Sequence, residues 1–175
     1  MQWPITFLLL TILFYIGIQD FKHRAISWWT IPLLFILMLL LQREELSSWE
    51  WVKASLINLV FLLVNGLIIT LYYSLKERKW VNIIDQKIGW GDILFMGAVS
   101  FFFSFPNMLL FMLTCLLLAI LIAFIQLALL KREQNYTVPL AGIMAVVLAI
   151  VTLINSIWKL NVYRDEQWVL QYITE

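Results

Sequence analysis

Six apolar segments, separated by short polar or charged stretches, cover most of the chain. The third and fifth exceed the ~20 residues that a helix needs to cross the ~30 Å hydrocarbon core of a bilayer, and neither contains a charged residue. The first and fourth are shorter. The pattern predicts an all-α integral membrane protein, a bundle of six transmembrane helices. The predicted spans are residues 5–19, 26–41, 54–75, 89–105, 108–130 and 138–157.

Composition supports this class. Hydrophobic residues make up 63% of the chain and charged residues 13%, and the mean hydropathy is +0.90. A soluble domain is nearer half apolar and a quarter charged. We therefore expect residues 1–175 to form a single polytopic membrane domain, and we expect the first segment to be a retained helix rather than a cleavable signal peptide. The tail, residues 158–175, mixes aromatic and charged side chains and is expected to lie at the membrane interface.

Charge and side-chain counts limit the chemistry. The net charge of +1 gives no reason to expect nucleic acid as a partner. Cys115 and His23 are the single cysteine and the single histidine, so the sequence predicts no internal disulfide, no metal site and no cofactor.

The distribution of Lys and Arg predicts the orientation. Eight of the 12 basic residues follow the first, third and fifth spans, and four follow the others. The positive-inside rule then places the loops after the odd-numbered spans in the cytoplasm and both termini outside it. We expect the protein in the cytoplasmic (inner) membrane, with a polar cavity of the bundle facing the cytoplasm.

Asp92 is the most informative residue. It ends the run Gly89-Trp90-Gly91-Asp92, and the apolar stretch that follows, 93–105, would form only about 20 Å of helix. The carboxyl group is thus drawn to membrane depth, where an ionisable group is costly and is a candidate functional group. Asp20, at the end of the first span, lies at the same predicted depth.

Two carboxyl groups and one water can hydrolyse a peptide bond without a metal. The ionised carboxylate takes a proton from the water, and the protonated one donates a hydrogen bond to the scissile carbonyl. Because two close carboxylates cannot both ionise cheaply, they share a proton. Gly89 and Gly91 would let the backbone before Asp92 adopt a positive φ, unwind, or closely approach another chain.

The run Gly89-Trp90-Gly91-Asp92 resembles the GxGD motif of intramembrane aspartyl proteases, and within that group the chain resembles the type IV prepilin and preflagellin peptidases. The similarity extends to 20–27, Asp-Phe-Lys-His-Arg-Ala-Ile-Ser, and to 138–142, Val-Pro-Leu-Ala-Gly. The resemblance implies that Asp20 and Asp92 are the catalytic pair. It further implies an endopeptidase that cleaves the leader from membrane-inserted, type IV pilin-like precursors at the cytoplasmic membrane face.

Two features depart from the family pattern. Leu94 stands where members often have a lysine, so any charge-tuning role of that lysine is absent or supplied elsewhere. The paired Cys-x-x-Cys motifs of many bacterial members are missing as well. The resemblance therefore covers the peptidase domain only, and no N-methyltransferase activity is expected.

Other interpretations of these residues remain open. Asp20 and Asp92 could be proton or cation sites of a small transporter, or could pair with partner residues if the protein is a non-enzymatic assembly subunit. Lys22, Arg24 and Lys87 could bind an acidic group of the substrate, or could be topology signals that contact anionic lipid.

Overall fold

Every element in the described part of the chain is helical, as the apolar pattern predicts. The computed structural model describes residues 2–43, 49–78, 89–130, 138–158 and 163. The helices are α1 (Gln2–His23), α2 (Thr30–Leu41), α3 (Trp49–Glu77), α4 (Trp90–Ser100), α5 (Phe105–Leu130) and α6 (Leu140–Trp158).

Four of these helices, α1, α3, α5 and α6, are long and apolar enough to cross a membrane, by length and composition. The chain is therefore a multi-pass membrane protein. In contrast, α2 has 12 residues and α4 has 11, which correspond to about 18 and 17 Å of helix. Both are shorter than the predicted spans, because residues 26–29 and 101–104 are not helical.

Helix α6 is the most buried helix of the bundle. It packs against α1, α4 and α5, and eight of its residues, from Ala141 to Thr152, are buried. Its small residues near the start allow α1 to approach closely, which is how helices associate where lipid removes the hydrophobic driving force. On α1 the buried residues Leu9, Leu13 and Ile16 recur at helical spacing and form the face of the helix that packs into the core.

The chain is not helical between α4 and α5, and α3 supplies hydrogen bonds to the backbone carbonyls that lack helical partners there. The side-chain amide of Asn58 donates to the carbonyls of Ser100 and Phe103, both at 2.8 Å. The hydroxyl of Ser55 donates to the carbonyl of Trp51 in its own helix at 2.8 Å and also lies 3.2 Å from the carbonyl of Phe101. Irregular backbone is tolerated inside a membrane protein when such partners satisfy it. Helix α4 can therefore end within the bundle.

Tyr163, in the C-terminal tail, also packs against the segment between α4 and α5. Its carbonyl accepts the backbone N–H of Ser104 at 2.8 Å, and its ring packs edge-on against Phe103. Its hydroxyl lies 2.8 Å from that of Thr152, which already donates its own hydrogen to Leu148. Tyr163 is therefore the donor. Burial raises the pKa of Tyr163 to about 12, so the hydroxyl keeps its proton at neutral pH.

This position differs from the predicted interfacial tail. Tyr163 is 1% exposed and is part of the core. Trp158, which ends α6, is the other described residue of the tail, and the remainder of 159–175 lies outside the described residues.

Replacing Asn58 tests the role of α3. We expect Asn58→Ala to lower the free energy of unfolding by about 2 kcal/mol, because it leaves two buried carbonyls without donors. The matched control is Asn65→Ala, two turns further along α3. There the side-chain amide donates to the carbonyl of Phe61 in its own helix. Asn65→Ala should change stability by less than about 0.5 kcal/mol. Unfolding in mixed micelles with increasing SDS measures both, and equal losses would contradict this role of Asn58.

Candidate active site

Asp20 lies in the last turn of α1 with its side chain turned into the bundle. The residue is 6% exposed. Its Oδ2 atom accepts the backbone N–H of Gly142, in the first turn of α6, at 2.6 Å. A buried carboxylate needs such a donor, because burial without a partner is costly. The guanidinium of Arg24, one turn later, also acts electrostatically on Asp20.

Asp92 lies in the first turn of α4 and is partly buried. Its carboxylate accepts hydrogen bonds from the backbone of Gly89 and of Ala141. Gly89 is the residue that caps the N-terminus of α4, so the first bond is the reciprocal half of a capping box. The second bond comes from α6. Asp92 thus caps α4 and also accepts a hydrogen bond from the N-terminus of α6.

The first turn of α6 connects the two acids. Successive backbone amides, those of Ala141 and Gly142, donate to Asp92 and Asp20 respectively. The first backbone hydrogen bond of the helix runs from Ile143 to Pro139 at 3.1 Å, so the two earlier amides have no helical acceptor. They also carry the positive end of the helix dipole. The two carboxylates, 72 positions apart in sequence, meet at this turn and act electrostatically on each other.

Three glycines allow this convergence by close contact. A Cβ at Gly89 would lie 3.3 Å from Oδ2 of Asp92, and one at Gly91 would lie 3.0 Å from Cδ1 of Ile26. A Cβ at Gly142 would lie 3.2 Å from Oδ2 of Asp20. None of the described glycines has a positive φ. Of the roles considered from sequence for Gly89 and Gly91, close approach is the one observed, and the positive-φ role is wrong.

The loop between α1 and α2 is tied to α1 by Gln19. The Gln19 side chain donates to the hydroxyl of Ser27 at 2.7 Å and accepts the backbone N–H of Ser27 at 2.8 Å. Arg24, with φ of 55°, reverses the chain before this loop. The neighbouring Ile26 then packs against Gly91 at the start of α4. Sequence reasoning missed Gln19, since its partner is a residue whose position depends on the loop.

The predicted basic residues lie in different places. Arg24 is next to Asp20, and Lys22 lines a groove between α1 and α6. Lys87 lies outside the described residues. Among the described residues, no three His, Cys, Asp or Glu side chains are grouped so that they could hold a metal ion.

Ala141 and Gly142 are the site residues that sequence reasoning did not assign. They act through backbone amides, and a backbone donor leaves no side-chain signal. The sequence nonetheless drew attention to this segment, because Val-Pro-Leu-Ala-Gly at 138–142 is one of the segments that carry the family resemblance.

Comparison with known proteins agrees with this resemblance. A family model described as the type IV leader peptidase family matches residues 7–125, which include both Asp20 and Asp92. No match was found among curated proteins or among solved structures. The matched segment covers more than half of the 175 residues. The chain is therefore a multi-pass membrane peptidase that belongs to the type IV leader peptidase family.

Proposed function

We propose that this protein is an aspartyl endopeptidase in which Asp20 and Asp92 are the catalytic pair. The observation that supports this most directly is the bridge formed by α6, in which adjacent amides hold one carboxylate each. Two acids from distant parts of the chain are thereby placed around one small volume at one end of the bundle. A merely solvated helix-end acid would not need a buried amide donor.

The hydrolysis proceeds by general acid–base catalysis. One carboxylate takes a proton from a water molecule as the water oxygen attacks the scissile carbonyl carbon. The other, protonated carboxyl group donates a hydrogen bond to the carbonyl oxygen as negative charge develops there. When the tetrahedral intermediate collapses, the C–N bond breaks and the leaving nitrogen takes up the proton that the first carboxylate removed from the water. The products are a free carboxylate and a free amine.

The amides of α6 suit this chemistry. N–H donors favour the ionised form of a carboxyl group, whereas a second carboxylate nearby disfavours it. The proposed mechanism requires that the two acids hold one proton between them. One group is then ready to act as a base and the other as an acid, which the reaction requires at its first step.

The substrate class follows from the family and from the predicted orientation. We propose that the substrates are type IV pilin-like precursors, each with a short leader followed by an apolar helix in the bilayer. The positive-inside rule places the Asp20 end of α1 at the cytoplasmic face of the inner membrane. A leader-to-helix boundary located there is already unwound, so its backbone can reach the acids.

Substitution of either acid tests the catalytic pair. Asp20→Asn and Asp92→Asn should each reduce cleavage of a precursor by about 10²-fold or more, since an amide can neither take up nor supply the proton. Processing is measured in membranes by the mobility shift of the precursor. Glu50→Gln is the matched control, because Glu50 is an exposed acid paired with Lys53.

Cleavage that continues unchanged in either Asn variant would contradict the assignment. Ion flux that depends on both acids, in membranes that show no cleavage of any precursor, would instead favour a transporter.

Substitution of Gly142 tests the bridge without altering an acid. A methyl group at Gly142 would lie 3.0 Å from the ring of Phe21 and 3.2 Å from Oδ2 of Asp20. We expect Gly142→Ala to reduce kcat about tenfold, a loss of ~1.4 kcal/mol of transition-state stabilisation. The control Gly66→Ala adds its methyl group in open space. An unchanged kcat in Gly142→Ala would show that the position of Asp20 tolerates this displacement.

Substitution of Gln19 tests the loop that supports Gly91. Gln19→Met keeps the length of the side chain but removes both hydrogen bonds to Ser27, and we expect kcat to fall by roughly tenfold with little change in KM. Ser27→Ala keeps the backbone donor and should lose less. The same steady-state assay measures both variants, and a larger loss in Ser27→Ala than in Gln19→Met would contradict this order.

A further inference from the structure

An apolar groove runs along the outer surface of the bundle between α1 and α6. Its volume is about 730 Å³. Small residues on both helices, namely Gly17, Ala145 and Ala149, line the groove together with larger apolar side chains. A Cβ at Gly17 would meet no atom within 4 Å, so the space above it is open.

The groove leads to the candidate active site. Phe21 and Lys22 line one end of it, directly after Asp20 in α1. The ring of Phe21 also packs against Gly142, whose amide holds Asp20. An elongated molecule in the groove would therefore have one end beside the acids. One end of the groove thus borders the site, with Phe21 between the groove and Gly142.

The dimensions and chemistry of the groove fit a helix. From Leu10 to Lys22 it follows α1 for about 18 Å. Small residues at a helix contact let another helix approach closely within a bilayer. Among the described residues that line the groove, Lys22 is the one with a charge, and it lies at the end next to Asp20. The occupant is thus apolar along its length and is favoured by an anionic group at that end.

We propose that this groove binds the apolar helix of the membrane-inserted precursor, with the start of that helix beside Lys22. The proposal rests on the proposed function, since it takes the precursor as the substrate. Binding here positions the residues before the helix, which contain the scissile bond, next to Asp20. Because the helix and the scissile segment are contacted separately, docking and chemistry can be tested separately.

Filling the groove tests the docking step. The full chain, reconstituted in liposomes, is assayed with a precursor that has one apolar helix and with a short soluble peptide that spans only the cleavage site. We expect Gly17→Leu to raise KM for the precursor by at least about tenfold and to leave cleavage of the peptide unchanged. The matched control is Gly66→Leu, which adds the same side chain in open space on α3.

The outcomes separate the two proposals. Equal losses on precursor and peptide in Gly17→Leu would mean damage to the site and would overturn the docking proposal. Normal processing of the precursor would also overturn it and would leave lipid as the occupant. Retention of activity in Asp20→Asn would overturn the proposed function, whatever Gly17→Leu does.

Cross-linking gives a second test that does not depend on turnover. In an Asp20→Asn background, with Cys115→Ser removing the native thiol, Ile18→Cys places a thiol in the groove and Leu67→Cys places one on the exposed face of α3. We expect a precursor with a cysteine in its apolar helix to form a disulfide with position 18 and not with position 67. Equal cross-linking at both positions would overturn the proposal.

Discussion

The free amides at the start of α6 are the constraint on which the site depends. The first amides of any helix lack acceptors, and those of Ala141 and Gly142 lie where water cannot easily reach them. Asp20 and Asp92 are carboxylates that need donors for the same reason. Each set of groups would be costly to bury alone, and together they satisfy one another. The central position of α6 in the bundle follows, since it must contact both α1 and α4.

The position of Asp92 is determined at both ends of α4. At the N-terminus its carboxylate is held by the amides of Gly89 and Ala141. At the C-terminus the helix stops at Ser100, and the side-chain amide of Asn58 in α3 donates to the carbonyls of Ser100 and Phe103 in place of helical amides. A longer α4 would not place these carbonyls at the α3 side chains. The helix that carries Asp92 is thus short, and the side chain that binds the backbone at its end belongs to α3, more than 30 residues earlier in the chain.

The sequence predicted those properties that depend on apolar patterns and on charged side chains. The helical class and the long spans are of this kind, and the charge count put Asp20 and Asp92 at one depth, whereas their pairing was implied by the family resemblance. Other properties depend on partners that a sequence does not mark. The acceptors of Asn58 are backbone carbonyls and the donors to the acids are backbone amides, and both occur at nearly every residue. Tyr163 was missed because its segment has weak periodicity and its burial depends on distant contacts with Phe103 and Thr152.

The two short helices also bear on how water could reach acids inside a membrane protein. Helices of about 17–18 Å do not match a hydrocarbon core of ~30 Å, and the usual responses are a thinner bilayer or polar residues that reach the interface. Both α2 and α4 begin at the end of the bundle that carries the acids, and the loop before α2 contains two polar residues, Arg24 and Ser27. For α2 the missing helical residues lie at that end, whereas for α4 they lie at the opposite end, where Asn58 of α3 binds the backbone. The proposed mechanism needs water at Asp20 and Asp92 while the substrate's helix remains in lipid, and the short α2 beside the long α1 would meet both requirements at the end that carries Asp20.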